Sequence, residues 1–318
     1  MAHLVEKMAF VGEVPWHGLG SKLSPGQSIE KWQSESGLDF EIRETDVLYS
    51  VSGGDGLHLK SNPDAKVLFR SDTLAPLSVV SKRYVVVQPK EILDFYRSLV
   101  SVGGFELETA GVLKGGRKLW ALAKTNQETT LKGNDRIKAY LLLATSCDGS
   151  LATTAMFTSV RTVCSNTLQI ALSDANGQIR VPHSTSFDPA VVKKQLGLGL
   201  SAWDSFVHDI KVMSERKLNK FEAMNYLVKV LGDPDVPLAD QPNQKALQSV
   251  HALFQGQGKG SELQAANGTV WGLLNACTEY VDQHRRARSN DYRMDSAWFG
   301  QGAAIKDRAF QEALRIAA

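Results

Sequence analysis

Cysteine is scarce. Cys147, Cys164 and Cys277 are the three in 318 residues, far apart and odd in number. That excludes a disulfide framework and offers no paired-cysteine spacing for zinc; it fits reduced thiols in a cytosolic compartment. Long apolar runs are missing as well. None approaches the roughly 20 residues that span a bilayer, so no membrane helix is expected. The opening MAHLVEKMAFVGEVPWHGLG has no continuous apolar stretch, and no signal peptide is expected. Excess charge of either sign is lacking: 36 Lys and Arg stand against 34 Asp and Glu, a formal net charge of +2. Such a balance neither demands nor excludes nucleic acid, and only a local basic patch could argue for it. A complete phosphate-binding loop is also missing. GQGKGS (256–261) lacks the G-x-x-x-x-G-K-[ST] spacing and follows no predicted strand, which argues against an ATPase motor.

What is present is a change of pattern along the chain. FEIRETDVLYSV (40–51), KVLFRSD (66–72) and APLSVVSKRYVVVQ (75–88) have strand composition, with SGGDG as a turn. QPKEILDFYRSLVSVGG predicts a helix. Pro89 suits its first turn, Glu91 favours its positive end, and Ile92, Phe95, Tyr96 and Leu99 recur at helical spacing. Residues 105–124 predict a hairpin around Lys114-Gly115-Gly116-Arg117, and Asp148-Gly149 predicts the tip of another. SNTLQIAL predicts a helix capped by Ser165 or Asn166. From Asp188 onward the pattern is helical, with Asn219 and Glu222 spaced as a capping box. The expected class is therefore α+β: a mainly antiparallel sheet of hairpins with packed helices over 1–185, then a helical C-terminal region over 186–318.

Candidate chemistry is sparse. Cys164 and His183 lack the third group that a nucleophile–base pair needs, and buried free cysteine is the common outcome. No carboxylate or histidine cluster has metal spacing, so no catalytic residue, metal or cofactor is assigned. Trp16 and His17 suggest an aromatic anchor for the N-terminal segment, or else a base-stacking platform or an arm docking on a neighbouring subunit. The densest basic cluster is DQHRRARSNDYRM, with Arg285, Arg286 and Arg288; it reads as a solvated helix end or a phosphate contact. The strand 153–161 is unusual, with Thr158, Arg161 and, beyond it, Asn166 among many small polar groups. One cation with neutral donors is what phosphate binding uses, although β propensity and capping also account for Ser and Thr there. Lys82, Arg83, Lys114, Arg117, Lys118, Arg136 and Lys138 lie on neighbouring predicted strands or turns and would complete a basic track if the sheet aligned them.

KMAFVGEVPWHGLG, RYVVVQPKEILDFYRSLV, GGRKLWALAK, YLLLATSCDGSLATTAMFTSVRTVCSNTL, GTVWGLLNACTEYVDQHRR and AWFGQGAAIKDRAF together resemble the phage/plasmid-like proteins that carry domain of unknown function 932. The resemblance implies a mobile-element product acting in the bacterial cytoplasm. The order of hairpins and helix over 105–172 is similar to that of phage single-strand annealing proteins of the RecT, Redβ and Erf kind. That similarity is architectural and transfers no residue. The expectation that follows is an oligomeric, ATP-independent protein that binds single-stranded DNA and promotes annealing. The alternatives are a non-enzymatic interaction protein of a mobile element (anti-defence or replication regulator) and an enzyme acting on nucleic acid or nucleotides.

Overall fold

The structure is a computed structural model that describes residues 5–12, 20–54, 56–103, 105–163, 166–170, 178–197 and 200–318. Trp16, His17, Cys164 and Ser165 lie outside these residues. The chain opens with β1 (Val5–Val11), β2 (Ser21–Leu23), α1 (Ile29–Ser36), β3 (Ile42–Gly53), β4 (Gly56–Arg70), β5 (Pro76–Ser81) and α2 (Pro89–Gly103). Then come β6 (Glu106–Leu113), β7 (Lys118–Leu131), β8 (Asp135–Ser146), β9 (Thr153–Arg161), β10 (Asn166–Gln169) and β11 (Gln178–Val181). Helices follow: α3 (Pro189–Gly197), α4 (Leu200–Glu215), α5 (Lys220–Leu231), α6 (Gln244–Ala252), α7 (Val270–Glu279), α8 (Asn290–Phe299) and α9 (Gln301–Ala317). The α+β class is as expected, with antiparallel pairing dominant and a helical C-terminal region.

An eight-stranded sheet has the order β10-β9-β8-β7-β6-β1-β2, with β11 also paired to β9. A separate three-stranded sheet has the order β3-β4-β5. The contacts divide the chain into two compact units, one of residues 1–124, 141–156 and 178–195, the other of 125–140, 157–177 and 196–318. The chain passes between them within β7, β8 and β9.

In the first unit, α2 carries Ile92, Leu93, Phe95 and Tyr96 into the core, all fully buried. The Tyr96 hydroxyl donates to the carbonyls of Ala121 and Leu141, at 2.9 and 3.0 Å, so the helix is bonded to two strands. Burial of that phenol raises its pKa well above the ordinary tyrosine value. The turn between β6 and β7 is the one that Lys114-Gly115-Gly116-Arg117 predicts: Gly115 and Gly116 have φ of 69° and 102°. A Cβ on Gly116 would also crowd Arg70, Leu77 and Phe40 at 3.2–3.3 Å.

In the second unit, α7 is buried along its whole length. Thr269 caps it, its hydroxyl oxygen accepting from the Gly272 N–H at 3.0 Å. Gly272 admits no side chain, because a Cβ would stand 1.8 Å from the Ala266 carbonyl oxygen. The Asn219–Glu222 capping box opens α5 as expected. One expectation fails. Asn166–Gln169 form strand β10 rather than a helix, pairing antiparallel with β9 in the register Asn166 to Arg161 and Gln169 to Thr158. Leu168 and Ile170 are buried, while Thr167 and Gln169 are half-buried, so the segment follows the period of a strand.

Candidate functional site

The polar strand that draws attention in the sequence lies inside the fold. In the second unit, Arg161 at the end of β9 is 3% exposed and Asp135 at the start of β8 is 0% exposed. Their contact is bidentate: Nε donates to Oδ1 at 2.7 Å and Nη2 to Oδ2 at 2.8 Å. The Trp271 indole Nε1–H adds a 2.9 Å bond to Asp135 Oδ2. Arg161 also donates to the carbonyls of Lys259 (3.2 Å) and Gly260 (2.9 Å). A desolvated ion pair needs its remaining donors and acceptors met, and these contacts do that. GQGKGS thus supplies carbonyl acceptors to an arginine, chemistry opposite to that of a phosphate cradle.

A second buried pair lies in the same unit. Lys306 Nζ donates to Asp282 Oδ1 and to Thr167 Oγ1, each at 2.7 Å. The Thr167 N–H donates to the other carboxylate oxygen at 2.8 Å. Asn166 is buried, and its amide nitrogen donates to the Asn275 carbonyl at 3.3 Å. The Thr158 hydroxyl donates to the Leu168 carbonyl at 3.0 Å. In the first unit, the Thr145 and Thr153 hydroxyls bond to each other at 2.8 Å. Thr145, Thr153, Thr158, Asn166 and Thr167 therefore bond to one another, to nearby backbone or to the buried pair inside the protein, whereas the buried Thr162 hydroxyl has no hydrogen-bond partner among the described residues.

The remaining sequence candidates divide by surroundings. Lys118 is buried. Lys82 pairs with Asp46 at 2.7 Å in the first unit, and Arg136 with Glu128 at 3.0 Å in the second. Lys114 and Lys138 are partly covered, whereas Arg83 and Arg117 are exposed. Arg285 donates to Ser296 Oγ at 3.0 Å and to Gln301. Arg286 and Arg288 are exposed, the Arg288 guanidinium 5.8 Å from the Tyr292 ring centroid. Of the cations expected on the strands, Arg161 and Lys118 are thus buried, and Lys82 and Arg136 each pair with a carboxylate.

Among the described residues, the two cysteines are held quiet. Cys147 is buried and its thiol pKa is pushed up to about 12, by desolvation first and by the nearby Asp148 carboxylate second. Cys277 is fully buried, and desolvation raises its thiol likewise to about 12. Both stay neutral near pH 7 and are poor nucleophiles. His183 sits between carbonyls, Nδ1 3.2 Å from Val85 O and Nε2 2.9 Å from Leu151 O, and stacks on Tyr84.

One exposed apolar surface was not singled out in the sequence. Beyond the base of the smaller sheet, β3 and β4 continue as a two-stranded arm over 48–61. Its register pairs Leu48 with Ser61, Tyr49 with Lys60, Ser50 with Leu59, Val51 with His58 and Ser52 with Leu57. At its root the register jumps from Asp46–Lys66 to Leu48–Ser61, leaving Asn62-Pro63-Asp64-Ala65 as a bulge. Pro63 has no N–H to donate, and β5 pairs with β4 only from Ala65 onward. Every described residue from 48 to 61 is exposed. Leu57 and Leu59 are each 70% exposed and Leu48 is 59% exposed. The signal available was the alternation LYSVS and LHLKS on either side of GGDG, the mark of a hairpin.

A family model described as Domain of unknown function (DUF932) matches residues 76–298. The chain belongs to this family. No curated protein and no solved structure matches it. The DUF932 match takes in the Asp135–Arg161 pair, Asp282 of the second pair but not its partner Lys306, and the exposed Arg286 and Arg288. It leaves out the 48–61 arm and the N-terminal stretch 7–20 that contributed to the resemblance in the sequence.

Proposed function

We propose that this DUF932 protein is a non-enzymatic interaction protein whose working surface is the 48–61 arm. The observation that carries this is the exposure of Leu48, Tyr49, Val51, Leu57 and Leu59 on one ribbon. A two-stranded ribbon is marginal by itself in water, and contiguous exposed apolar side chains of this kind mark surfaces that another molecule covers. The pairing of surface cations with carboxylates, and the raised thiol pKa values, support binding by shape and apolar contact over catalysis. The phage- or plasmid-borne setting implied by the resemblance belongs to the proposal: a protein in the bacterial cytoplasm that counters a defence factor or regulates replication. Site-specific photo-crosslinking tests it. With a benzophenone side chain at Leu57 in the living cell, protein adducts are expected, and they should vanish when Leu48 and Leu59 are changed to Ser. Absence of adducts, or adducts to nucleic acid alone, would overturn it.

A second reading, single-stranded DNA binding with annealing, is favoured by one feature: Arg286 and Arg288 are both exposed, and Arg288 stands beside the Tyr292 ring. Cations next to an aromatic ring suit phosphates and unstacked bases. Labelled oligonucleotide binding across a salt series tests it. Each phosphate contact removed by Arg286→Ala or Arg288→Ala should flatten the log–log slope by about 0.7.

A further inference from the structure

In an antiparallel ladder, directly paired residues share a face, and faces alternate along each strand. The arm therefore has two unlike faces. One carries Leu48, Ser50 and Ser52 from β3 with Ser61, Leu59 and Leu57 from β4. The other carries Tyr49 and Val51 with Lys60 and His58. On the first face every rung has one leucine and one serine, and the leucine changes strand between the first rung and the second. Each leucine thus stands beside a notch left by a small side chain. That face holds no ionisable group over three rungs.

We infer that the leucine face of the arm docks against the same face of a second copy of this chain, about a two-fold axis; this rests on the arm being the working surface. Two observations select the occupant. A two-fold contact sets a surface against itself, so it must be self-complementary and free of like charges. The leucine face meets both conditions, since leucines of one copy fit over the serines of the other and no charge is opposed. The second face does not, because self-contact would have to desolvate the Lys60 ammonium of each copy with no carboxylate on that face to pair it. Size sets the strength. Three rungs of a ribbon fall well short of the roughly 800 Å² per partner of a standard stable interface, so the pairing is expected at micromolar rather than nanomolar concentrations.

Sedimentation equilibrium of the full chain, from low micromolar to several hundred micromolar, tests the inference. A monomer–dimer equilibrium is expected. Leu57→Ser with Leu59→Ser should weaken association at least about tenfold, since burying one leucine side chain accounts for that much. Lys60→Gln and Val51→Ser, on the other face, should leave it within about twofold. Equal melting temperatures for all variants would show that the arm changes spare the fold. A chain that stays monomeric at every concentration, or a dimer indifferent to the leucine variants, overturns the self-contact. If that happens while the crosslinker at Leu57 still captures a different protein in cells, the arm keeps its role and only the second copy is rejected. Failure of both experiments rejects the arm as a working surface.

Discussion

Replacing Arg161 with alanine separates an internal role for this cation from a DNA-contacting one. The substitution removes both bonds to the Asp135 carboxylate and leaves that group, 0% exposed, with the Trp271 indole N–H as its remaining described side-chain donor. It also strips a donor from the carbonyls of Lys259 and Gly260. Stranding one half of a buried pair costs about 3–5 kcal/mol. For a unit of roughly 150–250 residues, with about 2–4 °C per kcal/mol, the melting temperature should fall by about 6–20 °C. Calorimetry on Arg161→Ala, Asp135→Leu and the double variant Arg161→Met/Asp135→Leu measures this. The double variant should lose less than the singles summed, because the second change removes the charge stranded by the first. Oligonucleotide binding on the same preparations closes the argument. A variant that melts within about 2 °C of the parent, yet binds single strands with a salt slope flattened by about 0.7, would refute the internal role and restore Arg161 as a phosphate contact.

Lys306→Ala should be comparably destabilising through stranded Asp282, whereas Lys306→Met with Asp282→Leu should recover much of the loss; urea unfolding measures both. In a Cys164→Ser background, Cys147 and Cys277 should resist a thiol reagent near neutral pH until the protein unfolds, because burial holds both thiols neutral. Gly37 caps α1 at φ 77°, with Lys7 Cβ 2.6 Å from where a side chain would begin, so Gly37→Ala should cost at least about 1 kcal/mol by chemical denaturation. The Asp72 carboxyl is held below its ordinary value of 3.8, chiefly by its bonds to Arg70. The stability it contributes is therefore complete above about pH 4 and lost as the pH falls through the lowered value; Asp72→Asn should remove that part of the acid sensitivity in a pH-dependent melting series.

Much of the fold was legible where local chemistry leaves one solution. Asp148-Gly149 lies at the predicted chain reversal, with Gly149 at φ 74°. Pro89 opens α2, and Asn219 caps α5 through Phe221 and Glu222 N–H groups. The helix expected at Asn166 failed because Ser and Asn serve turns as well as caps, and a short run such as TLQI fits either period. What decided it was non-local: β9 offered an open edge. Helix α1 went unread because it is short, although Ser28 caps it. At the site, Arg161 was conspicuous in the sequence, but its partner Asp135 lies 26 residues away at a strand start, where Asp looks like ordinary turn chemistry. Nor could spacing show that Lys259 and Gly260 would close over that pair.

The Asp135–Arg161–Trp271 contact also has a clock. Trp271 lies 136 residues after Asp135, and Gly260 lies 99 after Arg161. At about 5–20 residues per second, a ribosome takes roughly 7–27 s between the first member of this trio and the last. Throughout that interval the strand end bearing Asp135 has no α7 against which to dry its carboxylate. The second unit therefore closes only once α7 has been made. A nascent chain cut short before residue 271 keeps a charged, wet seam where the finished protein has a sealed one, and such products should be cleared readily by cellular proteases.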